Sequence, residues 1–346
     1  MGMQEFIAKI GVGQKASKDL TWDEAKQAMR LLIEGQATPA QVGAFLLAMR
    51  FKMESVTEMA AFTAAAKAYV APLPVPPGLA LVDLPVYAGK QDTFHASIGS
   101  AVVAAASGAA VLMHGHDIIP NRPGPASVLA QLGIATELAP KQAADELATK
   151  GFAYLDMALY HPPVARFLDL RLELGVRNLF HPVARMLNPA RASAQIIGLT
   201  HPPYFEKTAE ALAMLGTKQA LILRGVEGAP ELSLASVTKA LELRGERITP
   251  MSLQPKDAGL AMGTHQPMAG FPPGQAHREA ELLRKILAYQ LAGGQRDWIV
   301  MNAALLLYVA GKSATVQAGA KLAQQTLESG AAAKKLSELA TGVAVK

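Results

Sequence analysis

The sequence contains no cysteine, and only 5% of its 346 residues are aromatic. Without cysteine the chain cannot form a disulfide framework, a thiolate metal site, an iron–sulfur cluster or a cysteine nucleophile. The low aromatic content leaves few rings on which nucleic-acid bases could stack, so any binding of nucleic acid would be mainly electrostatic. The absence of cysteine fits a reducing compartment, and we expect a cytoplasmic protein.

Long hydrophobic runs are also absent. The longest stretch of small apolar residues, 101–113, is interrupted by Ser107 and Gly108. It is shorter than the roughly 20 residues that span a bilayer. The first residues lack the apolar core and the small-residue cleavage site of a secretory signal. We therefore expect neither a signal peptide nor a membrane-spanning segment.

What the chain does have is apolar content and a small excess of positive charge. Apolar residues make up 51% of the sequence, which is ample for a core, and the length suggests about two domains. The formal net charge is +5. Such an excess favours an anionic partner, whether a phosphate, a carboxylate or a nucleic acid, although a mild excess is also common in proteins without one.

The first 70 residues contain well-marked helix starts. Three hydroxyl residues each precede a Glu or Gln by three positions, the spacing of a capping box, in which two side chains satisfy each other's backbone donors. The pairs are Thr21 with Glu24, Thr38 with Gln41, and Ser55 with Glu58. We predict a helical domain over residues 1–70. The proline-rich stretch 71–78 cannot be helical and is predicted to be a linker.

Beyond the linker, short apolar runs alternate with helical stretches, a pattern typical of a sheet flanked by helices. Strands are predicted at 79–82, 109–113, 195–199 and 219–223. Helices are predicted at 98–107, 126–132, 204–215 and 276–291. The predicted fold class is therefore α/β, with a small N-terminal helical domain and a large α/β domain over residues 79–346.

The loop at residues 83–97 is the first candidate site. In α/β sheets, ligands bind where strands end and helices begin. Ser97, Lys90 and backbone amides of this loop could hold an anion there. The alternative is a glycine-containing connection followed by an ordinary helix cap.

Two further loops carry polar side chains after predicted strands. His114 and His116 could bind a metal, but a His-x-His pair without a third ligand favours a hydrogen-bonding or packing role. Glu227 and Glu231 could hold Mg²⁺ through a phosphate, and the alternative is that both carboxylates are simply solvated.

The segment 160–191 is dense in cations. They are Arg166, Arg171, Arg177, Arg185 and Arg191, with His161 and His181 among them. Several guanidinium groups that converge on a cleft would form an anion site. The alternative is a solvated helix face on which Asp169 and Glu173 are local partners. The sequence has no Walker loop, no GxGxxG pattern after a strand, and no serine or histidine constellation that indicates hydrolysis.

Several motifs are typical of one enzyme family. They are the runs 45–50, 114–115, 129–133, 161–166, 171–177 and 188–190, together with Phe180. With these motifs the chain resembles, over nearly its whole length, the anthranilate phosphoribosyltransferases, glycosyltransferases of family 3 in the nucleoside-phosphorylase-like class. The resemblance implies transfer of a phosphoribosyl group from phosphoribosyl pyrophosphate to anthranilate or a related aromatic amine, with Mg²⁺ on the pyrophosphate, as a step of tryptophan biosynthesis.

The resemblance also implies an architecture and a set of residue roles. It implies a helical domain joined by residues 169–190, an active site between the two domains, and a homodimer formed through the helical domain. Arg171 would bind the acceptor carboxylate. The implied site residues are His114, His116, His161 and Arg171 for the acceptor, Gly89, Lys90, Ser97 and Arg122 for phosphate, and Glu227 and Glu231 for Mg²⁺.

The chain departs from the family mainly where phosphate would bind. The family's GTGGD loop corresponds to residues 85–89, where Pro85 lacks an amide N–H and Val86 and Tyr87 add bulk. The other departures are Met-His-Gly-His for Lys-His-Gly-Asn at 113–116, Pro-Asn for Ser-Ser at 120–121, Pro-Glu for Asp-Glu at 230–231, and His181 for an Asn. These departures predict inefficient catalysis.

Three functional hypotheses follow. The first, narrowly preferred, is a phosphoribosyltransferase with a remodelled phosphate site. The second is a non-catalytic protein that binds single-stranded nucleic acid without sequence preference through the basic cleft. The loop with Pro, Tyr and Lys resembles a divergent second group of this family, for some members of which such binding has been suggested. A dimeric scaffold with another small ligand is a third reading.

Overall fold

The computed structural model describes residues 2–13, 16–87, 93–117, 124–226, 230–264, 269–272 and 274–340. These residues form a small N-terminal helical domain and a large α/β domain with a mixed seven-stranded sheet flanked by helices, which confirms the predicted fold class. Among them, no helix is both long enough and apolar enough to cross a membrane.

The N-terminal helices pack around buried phenylalanines. They are α1 (Met3–Ile10), α2 (Trp22–Ile33), α3 (Pro39–Lys52) and α4 (Val56–Lys67). All three predicted capping boxes form: the hydroxyl at each N-cap accepts from the amide three residues later, and the Glu or Gln accepts in return. Phe6, Phe45 and Phe62 are fully buried in this core.

The central sheet has the order β3-β2-β1-β4-β5-β6-β7. The strands are β1 (Leu81–Tyr87), β2 (Ala110–His116), β3 (Phe152–Asp156), β4 (Ala194–Leu199), β5 (Gln219–Arg224), β6 (Thr238–Arg244) and β7 (Arg247–Leu253). The first five run parallel, and β6 and β7 form an antiparallel hairpin at one edge. The carboxyl ends of the parallel strands therefore meet at one edge of the molecule.

Helices cover both faces of the sheet. One face packs on α5 (Ala96–Ala106), α6 (Pro125–Leu132), α12 (Ala276–Leu287), α13 (Gly294–Val309), α14 (Val316–Glu328) and α15 (Ala331–Leu339). The other packs on the N-terminal helices, α7 (Pro140–Lys150), α8 (Met157–Tyr160), α9 (Pro162–Leu174), α10 (Phe180–Met186) and α11 (Phe205–Met214). Short 3-10 turns occupy Pro202–Tyr204 and Pro255–Ala258.

The strand prediction was incomplete: it missed β3, β6 and β7, and it ended β1 too early. The sequence predicts a strand that ends at residue 82, whereas β1 continues to Tyr87 and contains Pro85. Proline lacks a ladder donor and is rare in central strands. Here β1 pairs with β4 only at Val82 and Asp83, so Pro85 lies beyond that pairing and its missing N–H breaks no bond to β4.

Candidate functional site

A buried polar network lies on the sheet face that packs on the helical domain. The Tyr87 hydroxyl is 2.7 Å from Nδ1 of His114 and 2.7 Å from the hydroxyl of Tyr160. Nε2 of His114 is 3.0 Å from the carboxylate of Asp83, although the alignment falls short of a hydrogen bond. Gln195 donates from Nε2 to the second Asp83 oxygen at 3.1 Å. The network joins three adjacent strands at their centre.

His114 lies inside this network, away from the protein surface. His114 and Asp83 are both fully buried. Burial raises the pKa of Tyr87 and of Tyr160 well above the ordinary range, so both hydroxyls stay protonated and available as donors. His114, predicted to contact the acceptor, lies in the network beneath the carboxyl end of the sheet.

His116 connects the sheet to a helix. Its Nε2 lies 3.0 Å from the carboxylate of Asp169 on α9, and its Nδ1 lies 3.4 Å from Asp156 at the end of β3. Burial alone would lower the pKa of His116, but the hydrogen bonds and charges of the two aspartates outweigh it and raise that pKa. The aspartates therefore favour the imidazolium form.

His161 contacts the backbone through both ring nitrogens. Nε2 donates to the carbonyl of Ala66 at the end of α4 at 2.9 Å, and Nδ1 accepts from the amide of Val164 at 3.4 Å. Burial lowers the pKa of His161, which is consistent with a neutral ring that donates from one nitrogen and accepts on the other. The side chain is fully buried and caps α9.

Ser97 and Glu231, predicted for phosphate and for metal respectively, lie together. The backbone amide of Ser97 donates to Oε1 of Glu231 at 3.2 Å, and both residues are buried. They line a cavity of about 30 Å³ near the carboxyl ends of β1, β4 and β5, with Asn302 of α13 on its wall. A carboxylate of the chain therefore occupies a position at the start of α5 that favours anions.

The described residues contain no group of three side chains able to hold a metal ion. Mg²⁺ that arrives with a phosphate needs only one or two protein carboxylates, because water and phosphate oxygens complete its shell. Glu231 fits the role of one such ligand. Glu227, the second predicted ligand, lies outside the described residues, as do Gly89, Lys90 and Arg122.

A histidine–glutamate pair at the start of α5 was missed by the sequence analysis. Oε1 of Glu279 accepts from the backbone amide of His95 at 2.5 Å and lies 2.7 Å from its Nδ1. Both side chains are almost fully buried, and Nε2 of His95 has no partner among the described residues. Because Glu279 lies 184 positions away on α12, no local pattern could have indicated the pair.

Cationic side chains converge on a cleft between the helical domain and the carboxyl end of β4. We call it the cationic cleft, a cavity of about 40 Å³ lined by Arg50, Arg177, Asn178, His181, Pro182, Arg185, Leu199, Thr200, His201 and Tyr204. These lining residues include no carboxylate. Two of its arginines come from the predicted cation-dense segment, whereas Arg50 comes from α3 and was not singled out as a candidate.

The electrostatics of the cationic cleft follow from burial and crowding of like charges. Burial and the nearby guanidinium groups of Arg177 and Arg171 lower the pKa of Arg185 to about 10. Burial and the charge of Arg185 lower the pKa of His181 to about 3, so that its ring is neutral. Burial and the charges of Arg50 and Arg177 also lower the pKa of His201. An anion in the cleft would relieve this repulsion.

His181 has a free polar atom in the wall of this cleft. Its Nδ1 lies 3.2 Å from the carbonyl oxygen of Asn178 and 3.3 Å from the amide nitrogen and Oδ1 of the same residue, so the ring makes its local contacts through Nδ1. Nε2 is buried and finds no partner within the described ranges. The arrangement offers one neutral ring nitrogen beside three guanidinium groups.

The structure does not bring the whole predicted cation cluster together. Arg171, in the last turn of α9, is close enough to affect the pKa values of His181 and Arg185. Arg166 is exposed, with its guanidinium 5.3 Å from the ring of Phe167. Arg191 lies at the amino end of β4, opposite the cleft. The anion site thus contains fewer arginines than the segment 160–191 from which it was predicted.

Comparison with known proteins identifies relatives of both domains. Residues 4–69 match the helical bundle domain of a glycosyl transferase family, and residues 88–333 match its a/b domain. The anthranilate phosphoribosyltransferase of Rubrobacter xylanophilus is 34% identical over 331 residues, which cover 95% of this chain and 94% of the relative. The anthranilate phosphoribosyltransferase of Haloarcula marismortui is 33% identical over 338 residues, which cover 97% of this chain and 99% of that relative.

Solved structures agree with these matches. The anthranilate phosphoribosyltransferase of Thermus thermophilus superposes with a TM-score of 0.86 at 29% identity and covers 98% of both chains. The Saccharomyces cerevisiae enzyme in complex with PRPP and Mg superposes with a TM-score of 0.83 and covers 99% of this chain and 98% of its own. At 18% identity, the second likeness concerns the fold alone.

Proposed function

Because the chain belongs to this glycosyl transferase family, we propose that it transfers a phosphoribosyl group from phosphoribosyl pyrophosphate to anthranilate or a related aromatic amine that bears a carboxylate. The observation that carries the proposal is the cationic cleft, whose lining residues contain three arginines and no carboxylate. Its position between the two domains suits an acceptor carboxylate held by guanidinium groups.

The proposed reaction makes modest demands on the protein. The amine nitrogen forms a bond to the anomeric carbon, the bond from that carbon to pyrophosphate breaks with its electron pair on the leaving oxygen, and the nitrogen loses a proton to water. An aromatic amine is weakly basic and is already a free nucleophile at neutral pH, so orientation matters more than a general base. Arg171, beside the cationic cleft, would orient the carboxylate, and the free Nε2 of His181 would contact the acceptor.

We expect the part of the proposed site that faces the pyrophosphate to bind its ligand more weakly than the part that faces the acceptor. Glu231 accepts from the Ser97 amide at the start of α5, and Glu279 accepts from the His95 amide beside it. Mg²⁺, when bound, would neutralise the pyrophosphate as it leaves. Glu231 would be a carboxylate that helps to hold that Mg²⁺. Without the ion, incoming pyrophosphate would have to displace the Glu231 carboxylate from the Ser97 amide. We therefore expect slow turnover and weak binding of phosphoribosyl pyrophosphate.

The same carboxylates favour a second candidate function. Since the chain's own carboxylates already occupy the start of α5, the cationic cleft is left as an anion site open to a longer polyanion. The chain would then bind single-stranded nucleic acid without catalysis. Such binding must weaken steeply with salt, with a log–log slope of roughly −0.7 per phosphate contact.

We also propose a homodimer formed through the helical domain. Leu47 and Phe51 are exposed one turn apart on α3, with 71% of Phe51 accessible in the single chain. Val12, just after α1, is exposed as well. Large apolar side chains on one small domain suit burial against a second copy.

One experiment separates the two functions. Wild-type protein is assayed for phosphoribosyl transfer to anthranilate with Mg²⁺, beside Arg171→Gln and the exposed control Lys141→Gln. We expect wild type and the control to form product. In Arg171→Gln the KM for anthranilate should rise about tenfold or more, whereas the KM for phosphoribosyl pyrophosphate should change little. If no product forms and the same preparation binds single-stranded DNA with a steep salt dependence, the transferase proposal fails.

A further inference from the structure

A third cavity lies at the opposite edge of the sheet from the cationic cleft. Its volume is about 740 Å³. We call it the linker cavity, because Val70 and residues 71–74 of the linker form one wall. The other walls are the end of α4, the loop 187–193 before β4 and the turn 215–218 before β5. It therefore lies at the amino ends of β4 and β5, away from the proposed active site.

The charges of the linker cavity are all of one sign. Lys67, Arg191 and Lys218 line it, and its lining residues include no Asp or Glu. None of these three side chains forms an ion pair or hydrogen bond within the part of the chain that the structure describes. Burial and the charge of Arg191 lower the pKa of Lys67, while Asp83 opposes that shift. Three cations that form no ion pair or hydrogen bond within the described residues thus border one space.

The backbone holds Arg191 in an unusual conformation. Its φ is 51°, in the left-handed region that a residue with a long side chain rarely adopts. Asn188, also left-handed at φ 46°, clamps the loop: Oδ1 accepts from the amide of Ala192 at 2.7 Å, and Nδ2 donates to its carbonyl at 2.9 Å. A conformation that costs free energy at an exposed arginine is more common at functional positions than elsewhere.

The linker cavity also has apolar lining residues. Val70, Leu73, Leu187 and Leu215 contribute to it, with several prolines. A volume of this size lies within the range of roughly 300–1,000 Å³ typical of small-molecule sites. A lining that combines three cations with aliphatic groups suits a ligand that has both an anionic group and an apolar body.

We propose that the linker cavity binds a phosphate ester of about the size of a mononucleotide, with its phosphate held by Lys67, Arg191 and Lys218. A doubly charged phosphate matches three cations better than a single carboxylate does. Lys67 belongs to the helical domain, whereas Arg191 and Lys218 belong to the loops that begin β4 and β5. The ligand therefore bridges the two domains and stabilises one relative arrangement of them.

The test is calorimetric titration of the full chain with AMP and, separately, with adenosine. We expect AMP to bind and adenosine to bind much more weakly, because adenosine lacks the phosphate. Lys67→Gln and Arg191→Gly should each weaken AMP binding about tenfold. Glycine adopts a φ of 51° without strain, so Arg191→Gly removes the charge while the fold is retained. Thermal unfolding of Lys67→Gln and Arg191→Gly checks that both variants keep the fold.

Two controls locate the bound AMP. Lys141→Gln, which removes an exposed lysine of α7, and Arg177→Gln, which changes the cationic cleft, should both bind AMP like wild type. The proposal is overturned if AMP does not bind, if adenosine binds equally well, or if Arg177→Gln weakens binding while Lys67→Gln and Arg191→Gly do not. These outcomes do not depend on whether the chain is a transferase.

Discussion

The imidazole of His116 and the carboxylate of Asp169 lie 3.0 Å apart and join the end of β2 to α9. The pair links the sheet to a helix that shares a core with the N-terminal helices. Because the pKa of His116 is raised in the folded chain, protonation and the contact with Asp169 stabilise each other.

We predict a pH-dependent loss of stability in His116→Gln. A raised folded pKa contributes stability that is fully present below the unfolded value of about 6.5 and is lost as pH rises through the folded value. The variant should therefore be less stable than wild type by up to about 1 kcal/mol in mildly acidic buffer and nearly equal to it in alkaline buffer. Urea unfolding at both pH values measures this, with exposed His277→Gln as the control. A difference that grows with pH would contradict the prediction.

A second prediction concerns the buried pair of His95 and Glu279. Glu279→Ala leaves the His95 amide and ring without their shared acceptor in a closed site, so we expect a loss of about 3 kcal/mol in the free energy of unfolding. Glu281→Ala, two residues along the same helix and exposed, should change stability little. Equal effects of the two substitutions on denaturant midpoints would show that the pair has no special role.

A third prediction addresses assembly. Phe51→Asp places a charge on the exposed apolar face of α3 and should convert a dimer to a monomer, as measured by light scattering after gel filtration. Met262→Asp, at an exposed apolar residue of the α/β domain, is the matched control and should remain dimeric. A wild-type monomer, or a Phe51→Asp dimer, would rule out this interface.

A fourth prediction concerns Gly198 of β4. A Cβ at this position would lie 1.8 Å from the carbonyl oxygen of Pro230, which is backbone and cannot rotate away. Gly198→Ala should therefore cost at least about 2 kcal/mol and displace the adjacent Glu231 from Ser97. Gly43→Ala, within α3, has open space around its Cβ and should instead stabilise the chain by roughly 0.5–1 kcal/mol. Chemical denaturation of both variants measures the change in the free energy of unfolding, and equal changes in the two would contradict the prediction.

The fold was more predictable than the site because its signals are local. Capping boxes such as Ser55 with Glu58 depend on residues three positions apart, and the structure confirms them. Even there the sequence showed only part of the arrangement. Glu58 also accepts from Lys52 at 2.7 Å and from the amide of Leu20 at 2.8 Å, contacts that only packing creates. The β6–β7 hairpin was missed as well.

The site depends on contacts between distant parts of the chain. Ser97 and Glu231 were each identified from their loops, but nothing in either loop indicated that the two would meet. Arg50 joins the cationic cleft from α3, where the run 45–50 supported the family resemblance but no site role was assigned to Arg50. Arg191 was grouped with the other arginines by proximity in sequence, although the sheet separates it from them.

The short pairing of β1 with β4 has a consequence for how this fold diversifies. Only Val82 and Asp83 of β1 pair with β4, so residues 85–87 are supported from the β2 side alone. Replacements there, including a proline, remove no hydrogen bond between β1 and β4. A substitution at Pro85 can therefore change the end of the central strand without breaking that ladder, whereas Tyr87 is also held by His114 and Tyr160.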